Sequence, residues 1–269
     1  MDMTRVSACS YGVRHLPWEE ALAVIAAAGF TRVDLLGRAP HLSLDPSECD
    51  SKAVLARAGD LGLRIANLGT YVGRAFASDD DALCEQELAQ ARRAIDLAAL
   101  FGARSIRVSP GDDDPLHIER MAPWFRRAAE YAARRGVAMG FETHGGGISG
   151  DPERCVALAR AVGSPAFGVL YDPCNVLKAG VDYRRALDIM AKHIVHVHVK
   201  DATVRDGAFH LTMLGEGDID VPWLLDALDD LGYRGDLALE YELDDPPPAE
   251  GLRLWYEAAR RIASPQGGA

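Results

Sequence analysis

Six times in this 269-residue chain a helix-patterned stretch closes on glycine, a residue or two follow, and a short apolar run begins. The junctions are Gly29, Gly62, Gly102, Gly136, Gly163 and Gly232, leading for example into Val-Asp-Leu-Leu, Val-Ala-Met-Gly-Phe-Glu and Asp-Leu-Ala-Leu-Glu. Glycine just past a helix end supplies the left-handed backbone turn that other residues resist. With a first strand near Arg5–Cys9 and another near Ile194–Val199, the grammar gives eight strands. Helices are predicted over Trp18–Ala28, Ser47–Leu61, Asp81–Phe101, Ile118–Arg135, Pro152–Val162, Tyr183–Ala191, Pro222–Leu231 and Leu252–Ile262, all alanine- and leucine-rich with charged faces. Asp45-Pro46 and Asp151-Pro152 read as helix starts, a capping aspartate before proline at the first helical position.

Eight alternating strand–helix units predict an α/β fold, a (β/α)8 TIM barrel in a single domain over residues 1–263, with a disordered tail at 264–269. A doubly wound open sheet is the competing architecture, and no Gly-x-Gly-x-x-Gly follows the first strand to support it. The proline run in Asp244–Ala249 lies too near the C-terminus to divide domains. The composition, 48% hydrophobic and 26% charged, suits one large core. A net charge of −11 argues against a nucleic-acid partner. Ala21–Phe30 is too short to span a membrane. Five cysteines without zinc-like spacing predict a reduced, cytoplasmic protein.

Four metal-type side chains end four of the apolar runs: Glu142, Asp172, His198 and Glu240, separated by 30, 26 and 42 residues (172−142, 198−172, 240−198). In a parallel barrel the strand C-termini converge on one mouth, so these four would meet in a hard-cation site with acid/base capacity. Each has a plainer reading. Glu142 could pair with an arginine, and Asp172-Pro173 is also a turn or helix-start signal. His144 shares Glu142's strand parity, and Asn175 follows Asp172 by three residues. His196 and His198 share one face of a strand, and Lys200 continues the parity. His196 would sit one layer deeper, orienting a carboxylate or ligand. We count His144, Asn175, His196 and Lys200 as candidate substrate-binding residues. Glu242 competes with Glu240 on parity. Asp201 and Glu216 read as loop-holding residues, and Arg38, His41, Tyr71 and Arg107 as loop surface.

The strings Phe-Glu-Thr-His-Gly-Gly, Tyr-Asp-Pro-Cys-Asn, His-Val-His-Val-Lys-Asp, Leu-Gly-Glu-Gly-Asp-Ile-Asp and Leu-Glu-Tyr-Glu occur in that order. Together they resemble the xylose-isomerase-like TIM-barrel superfamily, which includes sugar-phosphate isomerases/epimerases, ketose 3-epimerases, inosose and 3-dehydroshikimate dehydratases, and endonuclease IV. The resemblance implies one divalent ion, Mn²⁺ in the first instance with Mg²⁺, Co²⁺ or Zn²⁺ as alternatives, held by Glu142, Asp172, His198 and Glu240. Gly235, five residues before Glu240, favours that residue over Glu242. It also implies Glu142 and Glu240 as acid and base in isomerising or epimerising a sugar, keto-sugar or polyol through an enediolate. A lyase on the same scaffold shares the first proton abstraction. Ketose 3-epimerases have a glutamate in the region of Ile148 and a histidine where Asn175 stands, so the resemblance carries the metal site rather than the substrate. Relatives are often dimers or tetramers, and a subunit of a heteromeric complex is a further expectation.

Overall fold

The computed structural model describes residues 2–264; the expected tail from 265 onward lies outside the described residues. Eight parallel strands close into a barrel in the order β1-β10-β7-β6-β5-β4-β3-β2. They are β1 (Val6–Cys9), β2 (Arg32–Leu36), β3 (Arg64–Gly69), β4 (Ser105–Val108), β5 (Ala138–Glu142), β6 (Phe167–Tyr171), β7 (Ile194–Val199) and β10 (Leu237–Leu239). Ala8 closes the ring, opposite Leu239 on one side and Val33 on the other. Around it run α1 (Trp18–Ala27), α2 (Ser51–Asp60), α3 (Asp81–Phe101), α4 (Ile118–Arg134), α5 (Pro152–Val162), α6 (Pro173–Lys178), α7 (Tyr183–Met190), α8 (Val221–Asp230) and α9 (Pro248–Ala263). The expected single-domain barrel is therefore the observed fold. Among the described residues, no helix is long and apolar enough to cross a membrane.

All six junction glycines have positive φ. At Gly163 (φ 66°) the amide donates to the Ala159 carbonyl, closing α5 and turning the chain back toward β6. The helices bury alanine-rich stripes against the strands. On α4, Phe125 meets Phe76 and Phe167 at ring-centroid distances of 4.9 Å each, tying α4 to the outside of β6.

The structure corrects two boundaries and adds a hairpin. The second helix starts at Ser51 rather than Ser47, because Asp50 caps it through the amides of Lys52 and Ala53 while Asp45 closes a separate turn at Ser47. The last strand stops at Leu239, so Glu240 and Glu242 lie beyond the ladder. Between β7 and α8 the chain adds a hairpin, β8 (Ala202–Arg205) and β9 (Ala208–Leu211), that the apolar pattern does not announce.

Candidate active site

Below the C-terminal mouth the barrel interior is polar. Asp34, Asn67, Ser105 and His196 are all buried, a costly arrangement unless each group is bonded. They form a chain. Ser105 Oγ donates to Asn67 Oδ1 (2.7 Å), and Asn67 Nδ2 donates to Asp34 Oδ1 (2.8 Å). Asp34 Oδ2 accepts from Nε2 of both His196 (3.0 Å) and His198 (2.9 Å). Burial opposes charge on Asp34, yet the two histidine bonds hold its carboxyl well below the usual range.

His198 is thereby fixed with its other nitrogen toward the mouth. Nδ1 lies 3.3 Å from Glu240 Oε2 and 3.4 Å from Glu142 Oε1. The chain's four expected ligands, Glu142, Asp172, His198 and Glu240, present one ligand atom each within 4.8 Å of one another, all buried. Asp172 divides its work. Oδ1 caps α6 by accepting from the amides of Cys174 (2.8 Å) and Asn175 (3.0 Å), whereas Oδ2 has no hydrogen bond although Lys200 Nζ lies 3.2 Å away. The plain helix-start reading of Asp-Pro and the ligand reading are thus compatible in one side chain.

Charge in this site is unbalanced. Five carboxylates (Asp34, Glu142, Asp172, Glu240, Glu242) face two permanent cations, Arg107 and Lys200. Arg107 Nε donates to Glu142 Oε2 at 2.7 Å, and Lys200 Nζ lies 2.7 Å from Glu240 and 3.4 Å from Glu242. Burial works against ionising Glu142, but Arg107 holds its carboxyl down at about 2. Glu240 is likewise driven well below the usual carboxylate range by Lys200 and His198 despite burial. Asp172 goes the other way: burial, reinforced by Glu142 and Glu240 against Lys200, pushes it up to about 6. Burial disfavours the His198 imidazolium, yet Glu240, Asp34 and Glu142 push its pKa well above 6.5. An oxygen-rich set with one imidazole, an unsatisfied buried carboxylate oxygen and surplus negative charge fits a divalent cation. Binding one would require the His198 proton to leave.

A cavity of about 170 Å³ opens above these groups. His144, Lys200, Glu142, Glu240 and His198 line it, as do Arg107 and Tyr71, which sequence reading assigned to loop surface. Arg107 is drawn inward because Glu142 on the neighbouring strand needs a counter-charge. Asn175 touches Glu142, donating from Nδ2 to Oε1 at 3.2 Å, and does not line the cavity. His196 does not line it either. Two residues down β7 from His198, it is spent on Asp34, which corrects the expected substrate contact and agrees with the deeper orienting position. His41 is buried between Ser10 and Val13. Asp201 holds its loop, accepting from the amides of Ala202, Gly215, Gly217 and Ile219, and Glu216 is exposed.

The family model for the xylose isomerase-like TIM barrel matches residues 22–262. The chain belongs to this family. It has curated relatives along nearly its whole length. The rhizopine catabolism protein MocC of Rhizobium meliloti is 30% identical over 284 residues, covering 93% of this chain and 83% of the relative. L-ribulose-5-phosphate 3-epimerase UlaE of Salmonella typhi is 27% identical over 256 residues, 90% of this chain and 89% of its own. Among solved structures, a family member from Mycobacterium smegmatis in complex with magnesium superposes with a TM-score of 0.78 at 19% identity, covering 97% of this chain and 98% of that one.

Two site residues escaped sequence reading. Asp34 sits inside Val-Asp-Leu-Leu, indistinguishable from an outward polar residue until the register is known, and β2 shifts register against β3 between Val33 and Asp34. Cys9, at the end of β1, lines the cavity with Sγ 3.5 Å from Glu240 Oε1. An aspartate in an otherwise apolar strand was the available signal for the first; the second had none.

Proposed function

We propose that this barrel is a divalent-metal-dependent epimerase or isomerase of a sugar, keto-sugar or related polyol. Glu142 and Glu240 would move a proton at the carbon beside a carbonyl. The observation that supports the reading is the convergence of these two buried carboxylates on His198 Nδ1, 3.4 and 3.3 Å away, at the floor of a cavity. The relatedness to a protein named as a 3-epimerase agrees with it.

Glu142, Asp172, His198 and Glu240 would hold the ion, Mn²⁺ in the first instance, which supplies polarisation of the carbonyl oxygen and so acidifies the neighbouring carbon. Arg107 keeps Glu142 ionised and therefore ready to accept the proton. Glu240, ionised beside Lys200, would first take a proton from Lys200 Nζ 2.7 Å away and then deliver it to the opposite face, giving the epimer through an enediolate. Glu142 would release the proton it accepted to solvent, and Lys200 would be reprotonated from solvent. Each placed carboxylate contributes typically ~10²–10⁴-fold. His144 and Lys200, both on the cavity wall, would bond substrate hydroxyls, Lys200 with what its three carboxylate partners leave free. Asp34 and His196 fix His198, and Asn175 fixes Glu142.

The test is solvent exchange. Mn²⁺-loaded protein, with ion content measured by plasma mass spectrometry beside His198→Ala, is incubated with keto-sugars in D2O. An epimer or isomer carrying one deuterium is expected, with Glu142→Gln and Glu240→Gln each slower by ~10²-fold or more. A product lighter by one water would replace the reading by a dehydratase. A fully loaded protein that exchanges no substrate proton would overturn both.

A further inference from the structure

We infer that the substrate is an uncharged keto-sugar or polyol of monosaccharide size, and that phosphorylated sugars are turned away electrostatically. The inference rests on the proton-transfer reading above and narrows it to a substrate class.

Phosphate is held by clustered backbone amides, helix N-termini and uncommitted cations. At this mouth the clustered amides are already taken by the chain's own carboxylates. After β5 the glycine string 145–147 folds over Asp113, whose carboxylate accepts from the amides of Gly147 (3.0 Å), Ile148 (2.9 Å) and Ser149 (2.7 Å) and from Ser149 Oγ (2.9 Å). This is the geometry of an anion cradle with an internal anion in it. The glycines are required by the approach: a Cβ on Gly146 would stand 2.1 Å from Asp113 Oδ2, and one on Gly147 2.0 Å from the Asp113 carbonyl. Asp113 adopts φ 64° to reach in. The second glycine-rich loop repeats the device, with Asp201 accepting from Gly215 (2.8 Å), Gly217 (2.9 Å), Ile219 (3.2 Å) and Ala202 (2.9 Å). Of the helices that follow the strands, α2, α3, α5, α6 and α8 are capped by Asp50, Asp80, Asp151, Asp172 and Asp220. The others, α1, α4 and α9, have no side-chain cap and carry Glu19 and Glu20, Glu119, and Glu250 in their first turns.

The cavity wall offers a phosphate no surplus of positive charge. Four carboxylates line it (Asp34, Glu142, Glu240 and Glu242) and Asp172 lies buried behind Lys200; against these five, Arg107, Lys200 and a dication bring four positive charges. A phosphate dianion would find both lining cations committed, to Glu142 and to Glu240, Asp172 and Glu242. The cavity of about 170 Å³ is below the ~300–1,000 Å³ of larger ligand sites, in keeping with a single sugar ring or open chain. Arg38, exposed and stacked on Tyr71 at 5.0 Å, makes no ion pair among the described residues and is the cation through which a phosphate could still be held.

The experiment runs the D2O exchange on the metal-loaded protein with free ketopentoses and ketohexoses and with the same sugars as terminal phosphates. Free sugars should exchange with kcat/KM at least about tenfold above their phosphates. Faster exchange of the phosphates, abolished by Arg38→Ala, would overturn the inference and leave the proton-transfer reading standing. Exchange of neither set would overturn that reading and the inference with it. In parallel, inorganic phosphate should leave the melting temperature of the wild type unmoved and raise that of Asp113→Gly, which keeps the φ of the loop and empties the cradle. A rise in the wild type would reveal an open anion site and overturn the inference. Absence of a rise in a folded Asp113→Gly would overturn the claim that Asp113 stands in an anion site.

Discussion

Asp34 Oδ2 accepts a hydrogen bond from His198 Nε2 at 2.9 Å, and this bond decides which nitrogen of His198 faces the carboxylates. A ligand histidine held in this way has one tautomer and one ring orientation when a cation arrives. Asp34→Asn should therefore keep the fold and weaken Mn²⁺ binding about 10–100-fold. Titration of chelator-stripped protein by calorimetry would measure it, and an affinity equal to wild type would remove Asp34 from the site.

Lys200 neutralises the same carboxylates that would bind the ion, at 2.7 Å from Glu240 and 3.2 Å from Asp172. Removing one partner of a buried charge cluster leaves the rest uncompensated, typically at a cost of about 3–5 kcal/mol. Lys200→Gln should lower the melting temperature of metal-free protein sharply, and Mn²⁺ should restore part of it. The gain in melting temperature on loading should thus be larger in the variant than in wild type; equal gains would show that Lys200 and the ion do not share these carboxylates.

Two glycines predict opposite responses to alanine. In β6 a Cβ on Gly168 would meet the His193 carbonyl oxygen at 2.0 Å, and backbone cannot easily give way. Gly168→Ala should destabilise by about 1–3 kcal/mol or more. Gly59, inside α2, has nothing within 4 Å of its would-be Cβ, so Gly59→Ala should stabilise by about 0.5–1 kcal/mol. Urea denaturation of the two variants gives both signs, and destabilisation by Gly59→Ala would contradict the packing of α2.

The barrel was legible because six helix ends carry their own glycine signal and each strand its own apolar run, features local to a few residues. The four proposed ligands were legible for the same reason, since a carboxylate or imidazole ending an apolar run stands out without any tertiary knowledge. Asp34 and Arg107 depend on closure. Which face of β2 looks inward is fixed by its register with β3, and Arg107 becomes a site residue only because β4 lies beside Glu142 on β5. The hairpin of β8 and β9 is only four residues per strand: β9 alternates exposed and half-buried positions, β8 does not, and so brief a pattern does not announce a strand pair. Asp113 was invisible for a related reason: its partners lie 34 to 36 residues away.

His41 gives a pH dependence independent of the ion. It is fully buried, and its Nε2 donates to the Val13 carbonyl at 3.1 Å. Nδ1 must then accept from Ser10 Oγ at 2.9 Å, a hydroxyl that itself accepts from the Leu36 amide. A second ring proton would point at a donor. Burial accordingly lowers the His41 pKa from 6.5, against the small opposing pull of the backbone carbonyls. The folded state then binds fewer protons than the unfolded state between the depressed value and 6.5, so stability rises with pH across that window. The contribution is fully present above 6.5 and is lost as pH falls toward the folded value. Wild type should lose urea resistance between pH of about 7.5 and about 5.5 more steeply than His41→Asn, whose overall stability is lower but lacks this proton linkage. Identical slopes in the two proteins would mean that His41 titrates alike in the folded and unfolded chain, and a slope of opposite sign would mean that it is charged in the fold, with the Ser10 bond drawn the other way.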